Sequence, residues 1–266
     1  MENTDNTKDL KDFYDEVYLR GEDSHYTKLL LAEGKVTLEK LAVLGEIDWN
    51  GKRVLDVGCG TGELAELIAK RGAVEVTGVD FSKEAIKTAR SIRDHTNLGF
   101  ACIDVLNVFG NFDVVVALGM LEHVADPRAF LEKFKSLLAP NGSLIITSPN
   151  WANTRGNILM ALKYLCNARI TLADRHYFTP VDFEKWAKEL QLELSWKTVD
   201  HEWGQGQKLL KDFERRLPNI AKEIPEKISD AGIGEFLDWI THRVLPLETS
   251  TAHGGAIGVY HFKETK

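Results

Sequence analysis

Residues Val54-Leu55-Asp56-Val57-Gly58-Cys59-Gly60-Thr61-Gly62 form an apolar run that breaks into glycines at every second position. Few local patterns restrict a fold so tightly. The run reads as a buried strand ending at Asp56 or Val57. The alternating glycines let the backbone turn sharply and approach a ligand more closely than any Cβ would allow. A helix beginning near Glu63 then aims its N-terminus at that ligand. A dinucleotide-binding Gly-x-Gly-x-x-Gly would need a glycine at position 63, where Glu63 stands, and no Gly-Lys-Ser/Thr is present to cradle phosphates.

Two further runs share the same plan. Val74-Glu75-Val76-Thr77-Gly78-Val79-Asp80 reads as a second strand closing on a carboxylate, 24 positions after Asp56. Leu98 to Ile103 reads as a third, closing on Asp104 after another 24 positions. That spacing is one strand-helix-strand step, and an acidic residue at the second strand's end can accept both ribose hydroxyls of a nucleoside. Strand four is expected at Phe112 to Leu118 and strand five at Ser143 to Thr147, after the turn Pro140-Asn141-Gly142. Between them Phe130, Phe134, Leu137 and Leu138 recur at helical spacing, as do Phe183, Trp186, Ala187 and Leu190 ahead of strand six at Leu192 to Val199. Strand seven is expected at Ala256 to Phe262. Alternating strands and helices predict a doubly wound parallel sheet.

Over roughly residues 50 to 200 the glycine run and the ordered carboxylates resemble the class I S-adenosylmethionine (SAM) dependent methyltransferases. The resemblance implies an α/β fold: a Rossmann-like, doubly wound, seven-stranded sheet, mainly parallel with strand seven antiparallel, plus helical insertions. It implies SAM as cofactor and S-adenosylhomocysteine as product. Asp56, Gly58, Cys59, Gly60 and Gly62 would form the cofactor loop, with Cys59 simply a small residue that fits. Asp80 would hold the ribose and Phe81 would lie against adenine. Asp104 would accept the adenine amino group, the backbone of Val105 would meet the ring, and Leu118 would close the pocket at the end of strand four.

Around this core the chain is expected to carry additions. Residues 1 to 48 read as an N-terminal helical cap, with helical character from 8 to 46 carried by Tyr14, Tyr18, Leu30, Leu38 and Leu41. Within it, Ser24-His25-Tyr26 is placed to close over the amino-acid end of SAM. The core is 49 to 200 with 256 to 266, a lid insertion spans 150 to 175, and a helical insertion spans 201 to 255. Helical stripes in the latter run through Leu209, Phe213 and Leu217 and through Ile233, Phe236, Leu237, Ile240 and Val244. In the former, Ile158 to Cys166 is apolar around most of its circumference and must be covered, by the second insert, by another subunit, or by lining a substrate pocket or touching lipid. Trp203, Trp239 and His201 are equally open to pocket or core.

The chemistry should sit just after strand four, in Gly119-Met120-Leu121-Glu122-His123-Val124. Methyl transfer is an in-line displacement, so the protein mainly holds the acceptor within about 3 to 3.5 Å of the methyl group and excludes water. An alcohol or phenol must also lose a proton, and His123 suits that step because an unperturbed imidazole titrates near about 6.5. The alternative is that His123 only positions. Two groups of similar enzymes, the ubiquinone-pathway O-methyltransferases and the small-RNA 2′-O-methyltransferases, carry Glu-x-x-Glu-His here and bind a divalent metal. This chain keeps Glu122 and His123, offers His176 in Arg175-His176-Tyr177-Phe178, and has Gly119 in place of the first Glu. The resemblance thus implies Glu122, His123 and His176 as catalytic residues and admits a metal on them. His176 could instead tie down the loop before Thr179-Pro180, and His253 before Gly254-Gly255 reads as turn chemistry.

A net charge of -7 opposes binding of long nucleic acid, which rewards basic stripes. Three cysteines without a C-x-x-C pair point to no disulfide framework and to a reducing cytoplasm. The polar start Met1-Glu2-Asn3-Thr4-Asp5 lacks a signal-peptide pattern, and no run reaches the roughly 18 apolar residues of a membrane span. The expected activity is methylation of a small molecule, most naturally at oxygen, in a pocket covered by the inserts. The alternatives are a metal-assisted RNA 2′-O-methyltransferase and a non-catalytic partner subunit. Oligomerisation is left open.

Overall fold

The computed structural model describes residues 36–171, 173–202, 206–220, 224, 230–247 and 251–264. Tyr14, Tyr18, Leu30, the Ser24-His25-Tyr26 segment and Trp203 lie outside these. The cap helix is described only as α1 (Leu38–Leu44), with Thr37 as its N-cap accepting from the Lys40 amide.

Seven strands form one sheet in the order β3-β2-β1-β4-β5-β7-β6: β1 (Arg53–Val57), β2 (Glu75–Asp80), β3 (Leu98–Cys102), β4 (Phe112–Leu118), β5 (Leu138–Pro149), β6 (Leu192–Val199) and β7 (Ile257–Glu264). β1 to β5 pair in parallel, and β7 runs antiparallel between β5 and β6. The chain reverses direction outward from β1, so the carboxyl ends of β1 and β4 flank a topological switch point, where open α/β sheets bind ligands.

Side-chain alternation along the strands builds two cores. Leu55, Val57, Val115, Ala117, Leu144, Ile146 and Phe262 face α4 (Pro127–Ser136) and α6 (Pro180–Leu190) through Leu131, Phe134, Phe183 and Ala187. Val54, Val76, Val114, Val116 and Ile145 face α2 (Glu63–Ala69) through Leu64, Ala65 and Ile68, joined by Val43 and Leu44 of α1. The remaining core helix is α3 (Lys83–Ile92), capped by Ser82. Central strands buried on both faces read as near-continuous apolar runs, which is why β1 and β4 are visible as such in the sequence.

The strand boundaries shift by one or two residues at β2, β3 and β7, and by most at β5. Pro140-Asn141-Gly142 lies within β5, which starts at Leu138. The pairing with β4 slips between Phe112 and Val114, and Asn141 takes φ 61°. A turn signal here is absorbed as an irregularity in a longer strand. Leu137 and Leu138 accordingly belong to the end of α4 and the start of β5, and both are still buried.

A third apolar cluster lies beyond the carboxyl ends of the strands. It joins Leu159 and Met160 of α5 (Thr154–Cys166) with Trp151, Ile170, Ile220 at the end of α7 (Gly206–Ile220) and Trp239 at the end of α8 (Asp230–Trp239). The second insert thus covers the apolar helix of the first. Buried charge reinforces the contact: Arg155 Nε on α5 donates to Asp212 Oδ2 on α7 at 2.7 Å, and Arg216 Nε donates to Asp212 Oδ1 at 2.9 Å. Asn150 and Asn153 pin the roots of both inserts, donating to the carbonyls of His253 and Gly255.

Candidate active site

The turn after β1 is built for close approach. Gly58, Gly60 and Gly62 all take positive φ, at 68°, 52° and 76°. A Cβ at Gly62 would lie 2.6 Å from Phe100 Cε1, so only glycine fits where α2 begins. Gly58 and Cys59 donate their amides to the Val79 carbonyl at 2.9 and 3.0 Å, fixing the turn to β2. The Cys59 sulfur fills the space over Gly78, and burial pushes its thiol pKa up, which keeps it inert as a nucleophile.

Asp80 ends β2 beside this turn. Its Oδ2 accepts from the Gly60 amide at 3.0 Å and its Oδ1 from the Ser82 amide at 2.8 Å. A carboxylate has about four acceptor sites, so holding the loop is compatible with holding a ribose. Phe81 follows, half-buried. Asp104 caps a short 3-10 turn, accepting from the Leu106 amide at 2.9 Å, and buried Val105 follows it. Asp56 is buried within β1, and its Oδ2 has no hydrogen-bond partner among the described residues. Desolvation pushes its pKa up to about 7, with Lys40 opposing and Asp80 adding to the rise.

An orphaned carboxylate oxygen under a glycine turn is the arrangement a cationic, nucleoside-bearing ligand would satisfy. The chemistry of this donor set therefore fits SAM. Leu118 ends β4 at the opposite wall, half-buried against the α2-side core.

Beyond Leu118 the chain turns through Gly119, which takes φ 57° and donates its amide to the Thr147 carbonyl at 3.1 Å. Here carboxyls gather. Glu122 is buried, and Ser148 Oγ donates to its Oε2 at 3.3 Å. Glu39 of α1 reaches the same strand end, accepting from Thr147 Oγ1. Desolvation pushes Glu122 up to about 8, with Asp174 and Glu39 adding to the rise, and burial likewise raises Glu39. A neutral Glu122 at pH 7 is a hydrogen-bond donor as well as an acceptor.

His123 lies beside this cluster. Its Nε2 is 4.0 Å from Glu122 Oε1, and its Nδ1 is 3.3 Å from the Ala173 carbonyl and 3.5 Å from Asp174 Oδ1. His176 turns away from it. The His176 Nε2 donates to the Val124 carbonyl at 2.9 Å, and the ring stacks on Phe178. The amides of Arg175 and His176 both donate to the Glu122 carbonyl, at 2.8 and 3.2 Å. His176 therefore ties the loop before α6 to the turn that carries Glu122 and His123.

The trio Glu122, His123 and His176 does not assemble as a ligand set. No group of three His, Cys, Asp or Glu among the described residues could hold a metal ion. His176 Nε2 is engaged by the Val124 carbonyl and is not offered to a cation beside Glu122 and His123. Elsewhere His201 Nε2 lies on the Thr198 carbonyl, Trp239 is core of the inserts, and the His253 carbonyl serves the Asn150 clamp. Sequence reasoning missed Glu39, Ser148 and Asp174. Asp174 stands two positions before His176, but nothing in that spacing marks it as a partner of His123.

Residues 27–195 match the sequence model of a family described as a methyltransferase domain. The ubiquinone biosynthesis O-methyltransferase of Neisseria meningitidis serogroup C is 32% identical over 162 residues, covering 57% of this chain and 68% of that protein. The protein of the same name from Alkalilimnicola ehrlichii is 35% identical over 154 residues, covering 54% and 62%. Among solved structures, the S-adenosylhomocysteine complex of magnesium protoporphyrin IX methyltransferase from Synechocystis superposes with TM-score 0.57 at 14% identity, covering 98% of this chain and 100% of that one. That likeness speaks to the fold.

Proposed function

Because the chain belongs to the methyltransferase-domain family and is a SAM-dependent methyltransferase, we propose that it methylates a hydroxyl of a small molecule, within a site roofed by its two helical inserts. When bound, SAM supplies a methyl carbon made electrophilic by its sulfonium. The residues around Gly58 to Gly62, with Asp56, Asp80, Phe81, Asp104, Val105 and Leu118, would hold that cofactor beside the tip of β4, where Leu118 stands. At that tip His123 is the base that takes the acceptor's proton, and a neutral Glu122 beside it donates a hydrogen bond to the acceptor oxygen. His176 contributes by fixing the loop.

The observation that carries the reading is the placement of His123. An imidazole beside a buried, protonated carboxyl, at the end of the strand adjoining the cofactor turn, suits removal of a hydroxyl proton. The relatives named for O-methylation in ubiquinone biosynthesis support oxygen as the methylated atom, and the net charge of -7 favours a small acceptor over RNA. No described helix is long and apolar enough to cross a membrane, and the cytoplasm is the proposed compartment.

The test is transfer of labelled methyl from SAM into a deproteinised extract of the source organism, followed by partition of the label. Label in a small-molecule fraction supports the reading. Label in RNA would replace it with RNA methylation, and no transfer to either fraction would favour a partner subunit.

A further inference from the structure

The carboxylate beside His123 comes from a distant part of the chain. We propose that Asp174 is a positioning residue for His123, holding the imidazole as its Nδ1–H tautomer so that Nε2 is the nitrogen that takes the acceptor's proton. This rests on His123 being the base of the proposed hydroxyl methylation.

The geometry around the ring is asymmetric. Nδ1 faces two acceptors, the Ala173 carbonyl at 3.3 Å and Asp174 Oδ1 at 3.5 Å. A carbonyl can only accept, so the contact with Ala173 puts the hydrogen on Nδ1, where the Asp174 carboxyl also faces it. Nε2 lies on the other side, toward Glu122 Oε1 at 4.0 Å, at the tip of β4. With Nδ1 protonated, the Nε2 lone pair points to the side where the strand ends converge.

Asp174 is faced by cations from both inserts. Burial pushes its pKa up, and His123, Arg216 and Arg155 oppose that rise without cancelling it. Those two guanidiniums also meet at Asp212 on α7, at 2.9 and 2.7 Å. Arg155 belongs to α5 of the first insert and Arg216 to α7 of the second. The charged groups facing the base are therefore Glu122 from the turn after β4, with Glu39 of α1 behind it, and Asp174 with its two arginines.

In the reaction the acceptor's O–H bond breaks, its proton goes to Nε2, and the oxygen keeps the electron pair that forms the new C–O bond while the C–S pair leaves with the thioether. The imidazolium then carries a proton on each nitrogen. Asp174 offsets that charge through Nδ1 and is not itself protonated, and the imidazolium later releases the Nε2 proton to water. An aspartate set behind a base in this way fixes the tautomer as well as the charge.

The tautomer can be read directly. Protein labelled with 15N-histidine and bound to S-adenosylhomocysteine is examined by nitrogen NMR, with His123 assigned by loss of its signals in His123→Gln. The wild type is expected to carry its hydrogen on Nδ1. In Asp174→Asn the ratio of Nε2–H to Nδ1–H tautomer is expected to rise by about tenfold or more, whereas Asp174→Glu should restore the wild-type ratio. A wild-type spectrum with the hydrogen on Nε2 would overturn the proposal, as would an unchanged ratio in folded Asp174→Asn. Should that variant fail to fold, Asp174→Ser is read in its place, with the same rise expected and the same unchanged ratio overturning the proposal. The readout needs no acceptor, so its failure is distinct from label going to RNA, which would overturn the functional reading instead.

Discussion

At the scale of single residues, turnover is expected to depend on His123 and cofactor binding is not. His123→Ala is expected to keep SAM affinity within about twofold while turnover falls at least about tenfold, the low end of what a general base contributes; calorimetric titration and initial rates separate the two. Unchanged turnover would remove His123 from the mechanism. Glu122 carries a second consequence. Its folded pKa of about 8 lies above the ordinary value of 4.5, so the folded state holds a proton that the unfolded state releases. The stability tied to that proton is fully present below about pH 4.5 and is lost as pH rises through 8. Glu122→Gln, which mimics the neutral carboxyl, should melt close to wild type at pH 5 and several degrees above it at pH 8; a constant difference across that range would contradict a protonated Glu122. The places of Asp56, Asp80 and Leu118 in the fold were legible because each stands at or next to the end of a recognisable strand. Glu39, Ser148 and Asp174 were not, because their partners lie 108, 26 and 51 positions away and no periodicity encodes a contact between elements that far apart.

At the scale of elements, the sheet was legible and the cover was legible only as a set of options. The central strands announce themselves by unbroken apolar runs, and the largest displaced boundary, at Pro140-Asn141-Gly142, arises where a turn signature is accommodated inside β5. The apolar character of α5 demanded burial but could not name what buries it. The second insert does so, with α8 against α5 and α7 joined through Asp212. That ion pair makes a prediction at this scale. Asp212→Ala leaves Arg155 buried without its partner, a change that typically costs about 3–5 kcal/mol where breaking a buried pair exposes an uncompensated charge. Hydrogen exchange should speed up in α5 and α7 while amides of β1 and β4 stay protected. Uniform loss of protection across the sheet would instead mean that the inserts and the core unfold as one unit.

At the scale of the whole molecule, the cofactor turn at β1 and the base at the tip of β4 occupy neighbouring strands at one switch point, and the inserts stand over the same end of the sheet. The matched domain ends at residue 195, and the segment between β6 and β7 lies beyond it. Selection of the acceptor is thus expected to reside in α7 and α8, and exchanging that segment should change the substrate while leaving SAM affinity intact. The central claim is that oxygen receives the methyl group. The measurement that tests it most directly is turnover with SAM carrying a 13C-labelled methyl in an extract of the source organism, followed by NMR of the purified product. A methoxy carbon is the predicted result; a methyl on nitrogen, sulfur or carbon would contradict the assignment of His123 as the base that deprotonates a hydroxyl.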